Sequence, residues 1–223
     1  MSTPLRASER AYQTLRDDIV GWKLSPGVVL GEVEQSTRLG VSRTPLREAL
    51  SRLMADGLVA SQTGRGLVVT DISVENIREL FAVREALEVK AVRLAAERHS
   101  GTIFADLERE FEAVPGLLSL DSNDRSAYFD LVRRFDAAVD EAGENIYLTG
   151  ALSSLRTHLA RVRRLAQSNP QRLADAAREH LLIVRAIVMR DAELAAHATH
   201  VHLHHALTSA LAMAANSPLR AAN

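Results

Sequence analysis

The stretch from residue 32 to residue 70 constrains this chain more tightly than any other. Glu32–Leu39 has the length and pattern of a short helix, and Gly40 stops it. Val41-Ser42-Arg43-Thr44-Pro45 opens another helix almost at once: Ser42 or Thr44 can cap it, and Pro45 is tolerated where no intrahelical N–H is needed. Leu46, Ala49, Leu50 and Leu53 put apolar mass on one face of that helix, while Thr44, Arg47, Glu48 and Ser51 fall on the other. Gly57 ends it. Leu58–Thr63 and Leu67–Thr70 then read as two strands joined through Gly64-Arg65-Gly66, a hairpin pattern. Upstream, Tyr12, Leu15 and Ile19 recur at helical spacing from about Ser8 to Gly21, and a Ser25-Pro26-Gly27 turn follows. Helix, helix, tight turn, helix and hairpin predict a winged helix-turn-helix.

Composition narrows the rest. The 223 residues suit one large domain or two small ones, and 47% hydrophobic content is enough for a buried core. Aromatics make up only 4%, which with abundant Ala and Leu favours packed helices over a β-sandwich. The absence of cysteine excludes disulfides, thiolate metal sites and cysteine nucleophiles. The first 25 residues are polar and charged, unlike a secretory signal. No apolar run reaches the roughly 18–20 residues of a membrane helix, since Leu203–Ala215 is shorter and carries His204 and His205. These features predict a soluble cytoplasmic protein with no membrane partner.

The net charge of −1 advertises no nucleic acid. The local balance differs: from Arg38 to Arg65 there are five arginines and two acids. The third helix offers Arg43, Thr44 and Arg47 outward at its N-terminal end, able to bond phosphates or guanine edges in a major groove. Arg65 stands at the hairpin tip between two glycines that allow close backbone approach. Singly, each arginine fits a solvated helix face. With the wing and the local basic excess, they predict binding to double-stranded DNA.

A composition shift divides the chain near Asp71–Ser73 into a winged domain, residues 1–72, and an all-helical bundle, residues 73–223, for a mainly α fold. About six helices follow the boundary. Ser73 is positioned to cap the first, in which Ile77, Leu80, Phe81, Leu87, Ala91, Leu94 and Ala95 form a stripe. Arg84 and Glu88 lie inside that stripe, either as a structural i,i+4 ion pair or with Arg84 facing a cavity to receive an anionic ligand. Pro115-Gly116 is expected to break the chain, with a polar loop at Asp121–Arg125. Tyr128, Leu131, Val132, Phe135, Val139 and Ala142 make the next stripe, with Asp136 on its flank and Gly143 at its end. Ile146–Leu165 carries Arg156, Arg161, Arg163 and Arg164 on a face expected to be solvated or at an interface. Pro170 starts another helix, in which Leu173, Ala177, Val184 and Ile187 surround His180. The last, Ala192–Ala215, holds His197, His200, His202, His204 and His205, five of the eight histidines. Helical phasing separates them, so they cannot form one five-ligand site.

The segment from Leu15 to Thr70 resembles the DNA-binding domain of the GntR family of bacterial transcription regulators. The resemblance is carried by Leu24-Ser25-Pro26-Gly27, by Leu39-Gly40-Val41-Ser42-Arg43-Thr44-Pro45-Leu46-Arg47-Glu48-Ala49-Leu50, and by Leu53-Met54-Ala55-Asp56-Gly57-Leu58-Val59. It implies phosphate and base contacts from Ser42, Arg43, Thr44 and Arg47, and wing contacts from Thr63 and Gly64. Val33 stands where the fatty-acid regulator of the family has a DNA-contacting arginine. Gln35 replaces the usual leucine, which predicts looser packing of the second helix. The remainder resembles the FCD-type ligand-binding domain of the FadR-like branch, through Val83-Arg84-Glu85-Ala86-Leu87-Glu88, Arg178-Glu179-His180 and Arg190-Asp191-Ala192-Glu193. Many members hold a divalent metal with one Asp and three His beside a small organic acid. His180 and His202 match two of those histidines, but Val132 replaces the aspartate and Asp136 the remaining histidine of the middle helix.

Two readings stay open. Asp136, His180 and His202 form a three-ligand site for zinc, nickel or manganese, or the metal is lost and Arg84, His180 and His202 bind a small carboxylate effector directly. The leading function is an effector-controlled transcription regulator, pairing as a homodimer on a palindromic operator. The alternative is a metal-dependent enzyme, since two histidines and a carboxylate imitate an oxygenase triad. No nucleophile–base set is legible.

Overall fold

The computed structural model describes residues 5–119, 126–166 and 170–215. Helices α1 (Ala7–Val20), α2 (Glu32–Leu39) and α3 (Arg43–Ala55) precede strands β1 (Val59–Gln62) and β2 (Gly66–Val69). Helices α4 (Val74–Arg98), α5 (Ile103–Ser119), α6 (Ser126–Gly143), α7 (Ile146–Ala166), α8 (Pro170–Val188) and α9 (Ala192–Ala215) follow. Two compact units result. One comprises the residues up to Ser73 together with Thr157–Arg164 of α7, a segment outside the sequence-based boundaries; the other comprises Val74–Arg156 and the residues from Leu165 on.

In the first unit Leu15, Ile19, Leu46, Leu50, Leu53, Leu58, Val59 and Val69 form one apolar core, the α3 stripe among them. Burying such side chains supplies about 1.5–3 kcal/mol each and fixes which face of α3 stays outside. Gly40 ends α2 in the left-handed region (φ 62°), which a residue without a Cβ adopts freely. The next residues turn within three positions into α3. Ser42 occupies the N-cap but makes no side-chain cap bond, contrary to one of the expectations above.

The strands pair antiparallel, Val59 opposite Val69 and Gln62 opposite Gly66. The hairpin is larger than the sequence pattern indicates. Val29 bridges Val68, Gly27 and Leu30 donate to the carbonyls of Val69 and Leu67, and Val69 donates to that of Val28. A third short antiparallel segment thereby covers the free edge of β2 and ties the turn after α1 to the wing.

Gln35 corrects the expectation of looser packing. It is 2% exposed, and its Oε1 accepts from Arg38 Nε at 2.8 Å, while Arg38 donates to Asp18 at 2.7 Å. Hydrogen bonds there take over from the apolar contact a leucine would make. Within the same unit Arg16 donates to Thr157 Oγ1 at 2.9 Å, His158 Nε2 lies 2.9 Å from the Asp56 carbonyl, and Arg161 donates to the hydroxyl and carbonyl of Thr70. Arg161 is therefore not on a solvated face: it is 2% exposed, and burial lowers its pKa to about 10.

In the second unit α4, α5, α6, α8 and α9 enclose a core built on Phe104, Leu107, Phe111, Leu131, Phe135, Val184, Ile187 and Ala195. Pro115-Gly116 does not break the chain, since α5 runs on to Ser119. Proline forfeits one backbone bond and strains the preceding turn, but the buried Phe104, Leu107, Phe111 and Val114 anchor the helix up to the proline. The loop expected at Asp121–Arg125 lies outside the described residues.

Candidate nucleic-acid interface and effector site

Every residue predicted to touch DNA is on the surface of the first unit. Ser42, Arg43, Thr44 and Arg47 are exposed at the start of α3, and Thr63, Gly64 and Arg65 are exposed at the hairpin tip. Leu46, Ala49, Leu50 and Leu53 turn into the core and leave Arg43, Thr44 and Arg47 outward. Gly64 and Gly66 have φ of 77° and 83°, so the tip takes a backbone shape disfavoured for other residues. Arg65 N donates to the Gln62 carbonyl at 3.0 Å and closes the turn. A cationic helix start and a cationic loop tip match the two elements by which such a module holds a duplex.

One feature of this face was not legible beforehand. Arg47 Nε donates to both carboxylate oxygens of Glu32, at 3.1 and 3.0 Å, across fifteen residues of sequence. Glu32 is the first residue of α2, and only the turn geometry brings it beside α3.

The second unit holds a buried polar cluster. Arg84, 4% exposed within the α4 stripe, donates Nε to Glu88 at 2.7 Å, and its guanidinium lies 5.1 Å from the centre of the Phe81 ring. The rings of His180 (α8) and His202 (α9) are 4.4 Å apart. His180 donates Nδ1–H to the Ala176 carbonyl at 2.7 Å and stacks on Phe111. His202 Nδ1 lies 2.7 Å from Glu179 Oε2 and His205 Nδ1 lies 2.8 Å from Oε1, so each imidazole donates from Nδ1 to the carboxylate. Arg172 grips the same Glu179 with both terminal nitrogens, at 2.9 and 2.8 Å. Thr199, three residues before His202 and so on nearly the same face of α9, is 2% exposed, and its hydroxyl has no hydrogen-bond partner among the described residues.

The cluster sets its own charge states. Burial pushes the His202 pKa down, the bond to Glu179 opposes that shift, and the positive charge of Arg84 adds to it. Burial would raise Glu179, but the hydrogen bonds from His202, Arg172 and His205 prevail and bring it to about 2. Folded protein thus keeps His202 neutral at a pH where the unfolded chain, titrating near 6.5, takes up a proton. Its stabilising contribution is present above about 6.5 and is lost as pH falls through the folded pKa. That of Glu179 is lost later, between its usual range near 4.5 and about 2. Thermal unfolding midpoints are expected to decline from pH 7 to 5, with a second decline below about 4.5. His202→Asn, which keeps a donor for Glu179 but does not titrate, should flatten the first decline. An unchanged slope in that variant would contradict the assignment.

The proposed metal set does not assemble. Val132, at the position matched to the family aspartate, is apolar and 4% exposed. Asp136 faces Arg156 instead: the Arg156 Nε lies 3.7 Å from its carboxylate, and Arg156 also pairs with Asp140. Arg156, expected on a solvated or interface face, is half-buried in an ion-pair cluster within the helical unit. Among the described residues no group of three His, Asp or Glu is disposed to hold a metal ion. Asp136, His180 and His202 therefore do not fit a zinc, nickel or manganese centre, and the oxygenase-like triad lacks its third member. Prolonged dialysis against a chelator is expected to leave the thermal midpoint unchanged; a fall of several degrees, restored by one of these metals, would reinstate the site.

Residues 7–69 match the bacterial regulatory proteins of the gntR family, and residues 79–205 match the FCD domain. The chain belongs to the GntR family of bacterial transcription regulators. It is 29% identical over 199 residues to the HTH-type transcriptional repressor RspR of Escherichia coli, covering 88% of this chain and 85% of that one. It is 32% identical over 189 residues to a probable D-xylose utilization operon transcriptional repressor of Paenarthrobacter nicotinovorans, covering 83% and 80%. The fold matches that of E. coli McbR/YncC with a TM-score of 0.72 at 21% identity, over 90% of this chain and 95% of that one. Like the rest of the GntR family, the protein is a DNA-binding transcription regulator and not an enzyme. No described helix is long and apolar enough to cross a membrane.

Proposed function

We propose that this regulator binds a palindromic operator as a homodimer in the cytoplasm, and that a small carboxylate held by the helical unit sets its operator affinity without a metal. Residues 1–72 carry the DNA-reading surface: Ser42, Arg43, Thr44 and Arg47 enter the major groove, and Thr63, Gly64 and Arg65 of the wing hold the adjoining backbone. One winged module reads only a short half-site, so a symmetric pair is needed for an operator of useful length.

Residues 73–223 carry the effector site. The observation that supports it most is the burial of Arg84. A guanidinium in an apolar stripe is expensive unless an anion meets it, and its Glu88 partner occupies Nε, which leaves the terminal nitrogens to grip a carboxylate. His202 and His180 lie in the same polar cluster, and the buried Thr199 hydroxyl offers a further donor and acceptor. Arg84 charge and the neutral His202 imidazole within walls of Phe81, Phe111 and Phe135 suit a small, compact acid. The effector acts by favouring one of two arrangements of the dimer that differ in operator affinity.

The test is a thermal-shift screen of small mono- and dicarboxylates on the purified protein. Each hit is followed by operator titration with and without it, using a duplex selected by the protein from a random pool. At least one acid should both raise the midpoint and change operator affinity. Stabilisation only by neutral sugars or nucleosides would overturn the carboxylate assignment.

A further inference from the structure

We propose that Glu32 is a positioning residue for DNA recognition: by holding the Nε of Arg47, it aims the free edge of that guanidinium at a base and keeps its charge from settling on phosphates. The inference rests on the reading of Arg47 as a groove-facing residue. Nothing in the sequence motif assigns Glu32 a role, and its carboxylate meets the exposed Arg47 rather than a core residue.

Three observations converge on it. First, the contact has a definite geometry: Nε alone is bonded, at 3.0 and 3.1 Å, and both bonds go to one carboxylate. The Nη1–Nη2 edge makes no hydrogen bond among the described residues and is left for two parallel bonds to an acceptor pair such as guanine O6 and N7. Second, the pair sits at the surface, with the arginine side chain 66% exposed and the glutamate side chain partly exposed at 37%. An ion pair so placed contributes little to stability, so folding gives no reason for it. Third, Glu32 is itself held firmly. It begins α2, where the helix dipole favours a carboxylate, and α2 is locked to α3 through the left-handed Gly40 turn and the Ser36 hydroxyl bonded to the Val41 carbonyl at 2.6 Å.

A free arginine on this face would be a mobile charge that binds any duplex by displacing counterions, with no regard for sequence. With Glu32 beside it, the local charge is balanced. Approach to phosphate brings the carboxylate close to like charge, while approach to a base edge uses only the two terminal nitrogens. The pair therefore weakens non-specific binding and favours the specific complex, raising the ratio between them. Arg43 and Arg65, for which no described acid provides a hydrogen bond or ion pair, remain the phosphate-seeking cations of the same surface.

The experiment compares the full-length protein with its Glu32→Gln, Glu32→Asp and Arg47→Ala variants. Each is titrated against a duplex selected from a random pool by the unmodified protein, and against a scrambled duplex of the same length, over a range of salt. Glu32→Gln should bind the scrambled duplex more tightly, with a salt dependence steeper by about 0.9 per arginine released to phosphate. Its specific-to-scrambled ratio should fall about tenfold. Glu32→Asp should recover part of that ratio. A merely structural glutamate would instead lower both affinities together and shift the thermal midpoint. If Arg47→Ala collapses the ratio while Glu32→Gln keeps it, the positioning role of Glu32 is wrong and the reading of Arg47 stands. If Arg47→Ala keeps the ratio, both fall.

Discussion

Replacing Arg47 with alanine is expected to cost about 1–3 kcal/mol of operator affinity in each half-site, roughly 5- to 150-fold per protomer. For the dimer and palindrome proposed above the two losses add approximately, because the half-sites are well separated. The fold should survive, since Arg47 is exposed while Leu46, Leu50 and Leu53 make the core contacts of α3, and its ion pair with Glu32 lies at the surface. Affinity for a scrambled duplex should change much less than affinity for the selected one, which separates loss of base reading from loss of phosphate attraction. Arg65→Ala should behave in the opposite way, weakening both duplexes together and lowering the salt dependence. Fluorescence anisotropy at several salt concentrations reads both quantities. An Arg47→Ala protein with unchanged affinity for the selected duplex would remove α3 from the reading surface.

The second large effect concerns the helical unit. Arg84→Ala is expected to abolish the response of operator affinity to the acid found by screening. The simple variant is compromised as a test, because it strips Glu88 of its 2.7 Å donor in a largely buried setting. Removing one partner of a buried pair can cost about 3–5 kcal/mol. Arg84→Lys keeps the charge and loses the planar fork, so it should fold, bind the operator within about twofold of the unmodified protein, and respond to the acid only at much higher concentration. The double variant Arg84→Met, Glu88→Leu removes the pair without leaving a buried charge and should fold but show no response. A double variant that still responds at the same acid concentration would make Arg84–Glu88 an internal ion pair only and place the effector elsewhere.

Local patterns carry far in this chain because the elements are short and clearly punctuated. Gly40, Pro45, Gly57, Gly64 and Gly66 mark ends and starts through backbone sterics, which depend on the residue and its immediate neighbours alone. The apolar positions of α3 and α4 fall on one face through helical repeat, again a local property. Position-by-position likeness then separates the exposed basic side of α3 from its core side. For the same reason, Arg84 stands out as a charge inside an apolar stripe before any packing is known.

Other features depend on which distant residues meet. Pro115 reads locally as a break, yet the core contacts of Phe104, Leu107, Phe111 and Val114 outweigh one forfeited backbone bond. The segment at residues 27–30 shows no strand alternation of its own; it is extended because β2 offers a free edge. Gln35 is polar in a position that wants leucine, and only the chance of Arg38 and Asp18 lying beside it makes its burial acceptable. Asp136 and Arg156 are twenty residues apart, and their pairing removes a ligand that spacing alone had left available.

The sequence by itself determined the two kinds of architecture, the family and the outward basic face of α3, since each follows from repeat, punctuation or position-by-position likeness. Tertiary structure alone decided the partners of the charges: Glu32 for Arg47, Glu179 for His202 and His205, Asp136 and Asp140 for Arg156. Coulomb energy and desolvation depend on distance and burial in space, and neither has a period that can be read along a chain.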